Sequence, residues 1–330
     1  MSRWFSITVL ALVGLIAGAG SVCAQQDGRV YRIGYLWFGT PEGTPSERLP
    51  AFRDGMRERG YVEGKNLVID VRDGRGNAAR LATEAASLAA AGVDVIVTAE
   101  TGPTVAAMQA TNRIPIVFSM VGDPVGRRLV ASLAHPGGNV TGRAIDLGSN
   151  KGYEALREIA PRMRRIGLLF NASNFPAAYL PTLIAGRKAA AEAVGFELIP
   201  LPIVSFGEFG PAFAELAKGG GEAIFVQSNT LFTTARGALF PLALQYRLAS
   251  VCNDPLTANA GCLITYADDF DEGSRHAAVL AGKILKGAKP ADLPVEQPTH
   301  FKLIINLKTA KALGLTIPPS ILARADEVIE

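Results

Sequence analysis

A chain of 330 residues is long enough for about two domains of ~100–200 residues each. Its 48% hydrophobic content and 35 glycines exclude a disordered chain and suit a compact α/β protein. A formal charge of +3 without any Lys/Arg-rich block excludes the electrostatic footprint of a nucleic-acid or membrane-surface binder. Arg162, Arg164 and Arg165 come nearest to such a block. They sit at a predicted helix end, where cations complement the dipole.

Residues 1–24 read as an export signal. Arg3 supplies a positive start, residues 7–20 are mostly Ala, Val, Leu, Ile and Gly, and Val22-Cys23-Ala24 offers a cleavage boundary before Gln25. This run is shorter than the ~20 apolar residues of a membrane span, and nothing later approaches that length. Lipid attachment at Cys23 is the alternative, but Val22 stands where a small residue is expected and Gly20 where a larger aliphatic is expected. The mature chain is therefore expected to begin at Gln25 and to be periplasmic. Cys252 and Cys262 then remain in an oxidising compartment, nine residues apart. They read either as a disulfide or as two buried free thiols. His135, His276 and His300 are scattered without ligand spacing, so no metal or other cofactor is expected.

From Arg32 onward, strand and helix patterns alternate. Strands are predicted over 32–37, 67–72, 93–99, 116–119, 140–144, 165–170, 197–202, 223–227, 249–253 and 262–266. Helices are predicted over 47–59, 78–90, 153–160, 177–194, 209–218, 233–246 and 272–285. Such alternation means right-handed βαβ units and parallel sheets. Ten strands exceed one comfortable sheet, so two doubly wound lobes of about five strands are expected, with a crossover near 146–150. The stretch 114–142 is central: a buried strand at Ile116, Val117 and Phe118, the turn Gly122-Asp123-Pro124, and a short amphipathic helix carrying Val125, Leu129, Val130 and Leu133.

In doubly wound sheets, ligands meet the carboxyl ends of the strands. The ends expected to line a cleft are Trp37-Phe38, Ala99-Glu100-Thr101 and Ser119-Met120-Val121 in the first lobe. Asn171 and Ser173, Gln227-Ser228-Asn229, Asp254 and Tyr266 do so in the second. Thr101 and Ser119 can hold an anion at helix starts or serve as plain caps. Glu100 and Asp254 can pair with an ammonium or stay solvated, and Trp37 and Phe38 can stack on a flat ligand or simply fill core. Asp123 is expected to close its turn. No Arg or Lys stands at these strand ends, which disfavours multiply charged anions. Gly74-Arg75-Gly76-Asn77-Ala78-Ala79, with Asp94 further on, outlines a dinucleotide fingerprint. It follows the second strand rather than the first, and Arg75 would crowd the approach. No P-loop, nucleophile elbow, H-E-x-x-H or C-x-x-C pair occurs.

Three segments carry a family resemblance: 114–142 (IPIVFSMVGDPVGRRLVASLAHPGGNVTG), 52–66 (FRDGMRERGYVEGKN) and 284–330, with LKGAKPADLPVEQP and INLKTAKALGLTIPPS. From about Arg32 to the C-terminus, the chain resembles ABC-transporter substrate-binding proteins of the type I periplasmic-binding fold, in an amino-acid-like, aromatic branch. The resemblance implies two α/β lobes joined by a three-crossover hinge, with further crossings near 267–269 and 288–298. It divides the chain into an N-terminal lobe, 28–146 plus 268–290, and a C-terminal lobe, 147–267 plus 291–330. It implies a monomeric, non-enzymatic receptor for a small organic solute, partnered by an ABC permease and its ATPase. The alternatives are a dinucleotide enzyme at residues 74–79 and an extracytoplasmic sensor. Intact-mass measurement of exported protein is expected to find Gln25 at the N-terminus; a diacylglyceryl group on Cys23 would overturn that.

Overall fold

The computed structural model describes residues 28–40, 46–145, 150–175 and 177–330. The expected leader and most of the first crossing, 146–149, lie outside the described residues. The strands are β1 (Tyr31–Trp37), β2 (Leu67–Asp73), β3 (Val95–Thr98), β4 (Ile116–Gly122), β5 (Val140–Ile145), β6 (Arg165–Asn171), β7 (Glu197–Ile203), β8 (Ala223–Val226), β9 (Ala249–Cys252), β10 (Ile264–Asp268), β11 (Phe301–Asn306) and β12 (Glu327–Ile329). The helices are α1 (Leu49–Glu58), α2 (Ala78–Ala90), α3 (Thr101–Ala110), α4 (Lys151–Ile159), α5 (Leu180–Glu192), α6 (Phe209–Lys218), α7 (Thr230–Gln245), α8 (Phe270–Leu285), α9 (Leu307–Leu313) and α10 (Pro319–Leu322).

All ten expected strands form. They divide into a five-stranded sheet, β2-β1-β3-β4-β5, and a seven-stranded sheet, β12-β11-β10-β9-β8-β6-β7. The additional strands are β11 and β12. β11 runs antiparallel to β10, and every other pairing is parallel. Alternation along the strands makes both lobes doubly wound. In the first, Ile33, Tyr35, Val95 and Val97 face α1 and α8, while Leu36, Ile96, Ile116 and Phe118 face α2 and α3. In the second, Ile166, Leu168 and Phe170 share a core with α4 and α5, and Leu169, Ile224 and Val226 share one with α6 and α7. Cys252 and Cys262, beside the paired ends of β9 and β10, form a disulfide.

The amphipathic helix expected over 125–133 is absent; the segment is a series of turns. Asp123 and Arg128 take left-handed backbone, φ 48° and 58°, which a right-handed helix cannot continue through. The Asp123 carboxylate instead accepts from the Gly126 N–H at 2.9 Å, an Asx-type turn. Leu129 and Val130 are nevertheless buried against the first lobe, so the apolar spacing was real but was served by loop packing.

α8 follows β10 of the second sheet yet packs on α1, β3, β4 and β5 of the first. Gly55 makes the α1–α8 approach possible, since a Cβ there would lie 2.8 Å from the Ala278 Cβ. The chain then pairs again with β5, where Ala144 N–H donates to Glu296 O at 2.8 Å, before entering β11. The lobes thus exchange chain three times.

At this junction, Arg143 of β5 grips Asp268 at the end of β10 with two hydrogen bonds, 2.6 and 2.9 Å. Both residues are almost fully buried, 3% and 4% exposed. Removing one partner of a buried pair strands the other charge and costs about 3–5 kcal/mol. Asp268→Ala is therefore expected to lower unfolding stability in denaturant by that order, and the double change Arg143→Met/Asp268→Leu to recover a large part of it.

Candidate functional site

The carboxyl ends of both sheets face one another across a cleft. β4 continues to Gly122, three residues past its expected end, and this decides what reaches the cleft. Ser119 stays inside the sheet, 3% exposed, its hydroxyl donating to the Thr98 and Ala99 carbonyls at 3.3 and 3.4 Å. Met120 and Gly122 reach the ligand space instead.

That space is a narrow chamber between the lobes. Of the predicted residues, Glu100, Thr101, Met120, Asn171, Gln227, Ser228 and Asn229 line it. Glu100 precedes α3, and its carboxylate accepts a hydrogen bond across the cleft from Thr230 of α7. Burial pushes the Glu100 carboxyl up; the nearby Arg48 guanidinium and the Thr230 hydroxyl oppose this, and Asp254 adds to it. Asp254 is 1% exposed and lies below the surface, accepting from the Thr233 hydroxyl at 2.5 Å and from the Leu256 N–H at 3.1 Å. Asn171 caps a short turn through its side chain, which accepts from both the N–H and hydroxyl of Ser173. Ser173 itself is exposed and outside the chamber lining. Trp37 lines a second, adjoining cavity. Phe38 packs against the first-lobe core. Tyr266 stacks on Phe301 at 5.4 Å beside a smaller recess.

The strand ends carry no Arg or Lys, as expected, but Arg48 and Arg127 reach the chamber from elsewhere and line it. Neither stands at a strand end. Arg48 lies in the β1–α1 connection just before α1, and Arg127 in the turns that replace the expected helix. The Arg48 guanidinium lies 3.7 Å from Glu100, 3.8 Å from Asp254 and 4.7 Å above the Phe270 ring. Its Nε is buried without a hydrogen-bond partner, as is Oε1 of Gln227, which lines the same chamber from the opposite lobe. Buried polar atoms are normally satisfied, so an unmet donor and an unmet acceptor on residues of one lining suggest what a ligand must supply.

Arg127 does a second job. It reaches from the first lobe onto two rings of the second, its Cζ 4.2 Å from the Phe175 centroid and 5.7 Å from that of Tyr179. These rings stack at 6.1 Å and 12°. Burial pulls the Arg127 pKa down to about 10. Burial, and then donation to the Asp123 carboxylate, push Tyr179 up to about 12. Asp123 therefore both closes its own turn and holds a hydroxyl from the other lobe. On the far side of the cleft, Arg236 of α7 pairs with Glu47 at 3.0 Å. The lobes are joined on either side of the chamber, as in a closed receptor.

The 74–79 loop offers no phosphate cradle. Its N–H groups are spent locally: Gly74 on Trp37 O, Gly76 on Phe38 O and Asn77 on Gly74 O, at 2.8–3.1 Å, and Arg75 on the Asp73 carboxylate at 3.0 Å. Asp94 pairs with Arg29 at 2.6 Å. The dinucleotide reading has no support.

Two doubly wound lobes, three crossings and a polar chamber closed between them define a solute receptor of the type I periplasmic-binding class. Residues 46–329 match the family described as ABC transporter substrate binding protein, and the chain belongs to that family. Members capture a small solute between the lobes and deliver it to an ABC importer. An ABC domain from Streptococcus pneumoniae in complex with L-Trp is 27% identical, with a TM-score of 0.82, over 91% of this chain and all of that one. A curated "Tyrosine-binding protein" of Clostridioides difficile (strain R20291) is 26% identical over 80% of this chain and 75% of its own length. A ligand-free, open substrate-binding protein from Clostridium difficile, described as having adhesive properties, is 25% identical over 91% of this chain and 99% of that one, with a TM-score of only 0.66. The higher score against the L-Trp complex agrees with the bonds that join the lobes here.

Tyr179→Phe removes one such bond without disturbing the ring stack. An exposed hydrogen bond is worth about 1 kcal/mol, so ligand affinity is expected to fall about fivefold, chiefly through faster release in stopped-flow measurements. An unchanged release rate would show that this bond does not hold the closed state.

Proposed function

We propose that this protein is a periplasmic receptor for an amino acid, with an aromatic side chain favoured. It would be exported with cleavage before Gln25, act as a monomer, perform no chemistry, and present its ligand to an ABC permease driven by its ATPase. The observation that carries the reading is the pairing of unmet groups in one chamber. Arg48 of the first lobe offers a buried donor, and Gln227 of the second a buried acceptor. A ligand with a carboxylate and an ammonium group satisfies both, and only when the lobes are together. Binding and closure are then one event. The Arg48 guanidinium beside Glu100 and Asp254 also matches a zwitterion better than a polyanion. The L-Trp complex and the tyrosine-binding relative support an aromatic amino acid within that class.

Calorimetry and thermal shift with the common amino acids test this. A ligand at one hundred times its dissociation constant stabilises the fold by about 2.7 kcal/mol, so L-Tyr or L-Trp is expected to raise the melting temperature. Arg48→Gln is expected to weaken binding by at least about thirtyfold, the loss of a buried charged partner. Protonation of Glu100 should also matter. Because its pKa is raised in the empty cleft, its neutral form persists to higher pH than that of an ordinary carboxylate. Affinity for an ammonium ligand should therefore fall as pH drops from neutral through that raised pKa. In Glu100→Gln the affinity should be lower and flat over the same range. If no amino acid produces a shift, the reading fails.

A further inference from the structure

The first chamber has aromatic walls but no aromatic face to spare. Phe175 is covered by the Arg127 guanidinium at 4.2 Å, and Phe270 by that of Arg48 at 4.7 Å. A ligand ring placed there would have to displace a buried cation from each. The adjoining cavity is different. It is the roomier of the two, and it shares Arg48, Glu100 and Thr230 with the first chamber as a common wall. Trp37, Ala99 and Leu256 give it apolar surface, and Thr40, Ser46, Thr233 and Thr234 give it hydroxyl groups. Trp37 is 7% exposed and takes part in none of the ring–ring or cation–ring contacts found among the described residues. Its indole packs on the first-lobe core and presents its remaining surface to this cavity without a cation upon it.

We propose that the side chain of the ligand lodges in this second cavity against Trp37, while its charged head stays in the first chamber. The proposal rests on the amino-acid reading above and assigns the two ends of that ligand. Glu100 stands in the shared wall, where an ammonium group on the Cα would sit between the two spaces. The carboxylate then turns toward Arg48, and the side chain passes to the other side. Hydroxyl-bearing residues around an indole suit a ring with a polar edge, so phenol and indole side chains are preferred over plain phenyl. The Glu47–Arg236 pair, 3.0 Å across the lobes, closes the cavity behind the ring. Trp37 and Thr234 are thus specificity-determining residues, and neither contacts the charged head.

The molecule carries its own reporter. Its tryptophans are Trp4 and Trp37, so exported protein lacking the first 24 residues has Trp37 alone. L-Tyr is titrated by calorimetry and by tryptophan emission on the same purified protein. The proposal expects a saturable change in Trp37 emission with the calorimetric dissociation constant, and tighter binding of L-Tyr and L-Trp than of L-Phe. Thr234→Phe, a change at a half-buried helix position, fills the cavity. It is expected to lower affinity for L-Tyr and L-Trp at least tenfold while preserving the melting temperature of the empty protein. Trp37→Leu should do the same if it folds, and Thr234→Phe decides the matter if it does not. Calorimetric binding of L-Tyr with unchanged Trp37 emission and unchanged affinity in Thr234→Phe would overturn the proposal and leave the amino-acid reading standing. Failure of every amino acid to bind would remove both.

Discussion

The buried Arg143–Asp268 pair is the constraint on which the architecture turns. It joins the last strand of the first sheet to the strand from which the chain leaves the second. Taking two charges out of water costs several kcal/mol per ion, recovered only when the geometry is excellent. Here it is bidentate, at 2.6 and 2.9 Å. The same strand, β5, carries the backbone bond from Ala144 N–H to Glu296 O at 2.8 Å. The second and third crossings are therefore tied to one strand. Two lobes pivoting about such a point keep their strand ends aligned, which is what lets a ligand be gripped by residues from both.

Within the cleft, charge is arranged so that few groups are idle when the lobes meet. Arg127 covers a pair of stacked rings from the opposite lobe, Thr230 donates to Glu100, and Arg236 meets Glu47. Each of these bonds crosses between the lobes, so each favours the closed state by its own differential energy. Arg48 is the exception. Its nearest carboxylates are at 3.7 and 3.8 Å, beyond hydrogen-bond range, so it retains capacity for a ligand oxygen.

Much of the fold was legible because it rests on local periodicity. Strand alternation and helix spacing are recorded residue by residue, and the ten strands expected from them all form. What failed did so where tertiary contacts outvoted the local pattern. The spacing of Val125, Leu129 and Val130 suits a helix, yet the left-handed backbone at Asp123 and Arg128 turns it into loop. Ser119 looked like a strand end because a polar residue follows an apolar run, but β4 carries it inward and hydrogen-bonds its hydroxyl to the neighbouring strand. Glu100, Thr101, Asn171, Ser228 and Asn229 were legible because they stand where strands stop. Arg48 and Arg127 were not, since connections that fold back over the cleft leave no periodic trace. Proximity to the start of α1 and to the Gly-Asp-Pro turn was the available signal.

The placement of α8 has a consequence for how the molecule comes into being. The first lobe begins at β1, but its core includes Ala277, Ala278 and Ala281 from α8, and its last strand is flanked by Glu296. Contacts spanning more than two hundred residues must close before that core is complete, and such long separations slow folding. The half of the protein made first thus waits for residues as late as Glu296. A chain that emerges from a ribosome cannot lock its amino-terminal lobe until nearly all of it has been synthesised.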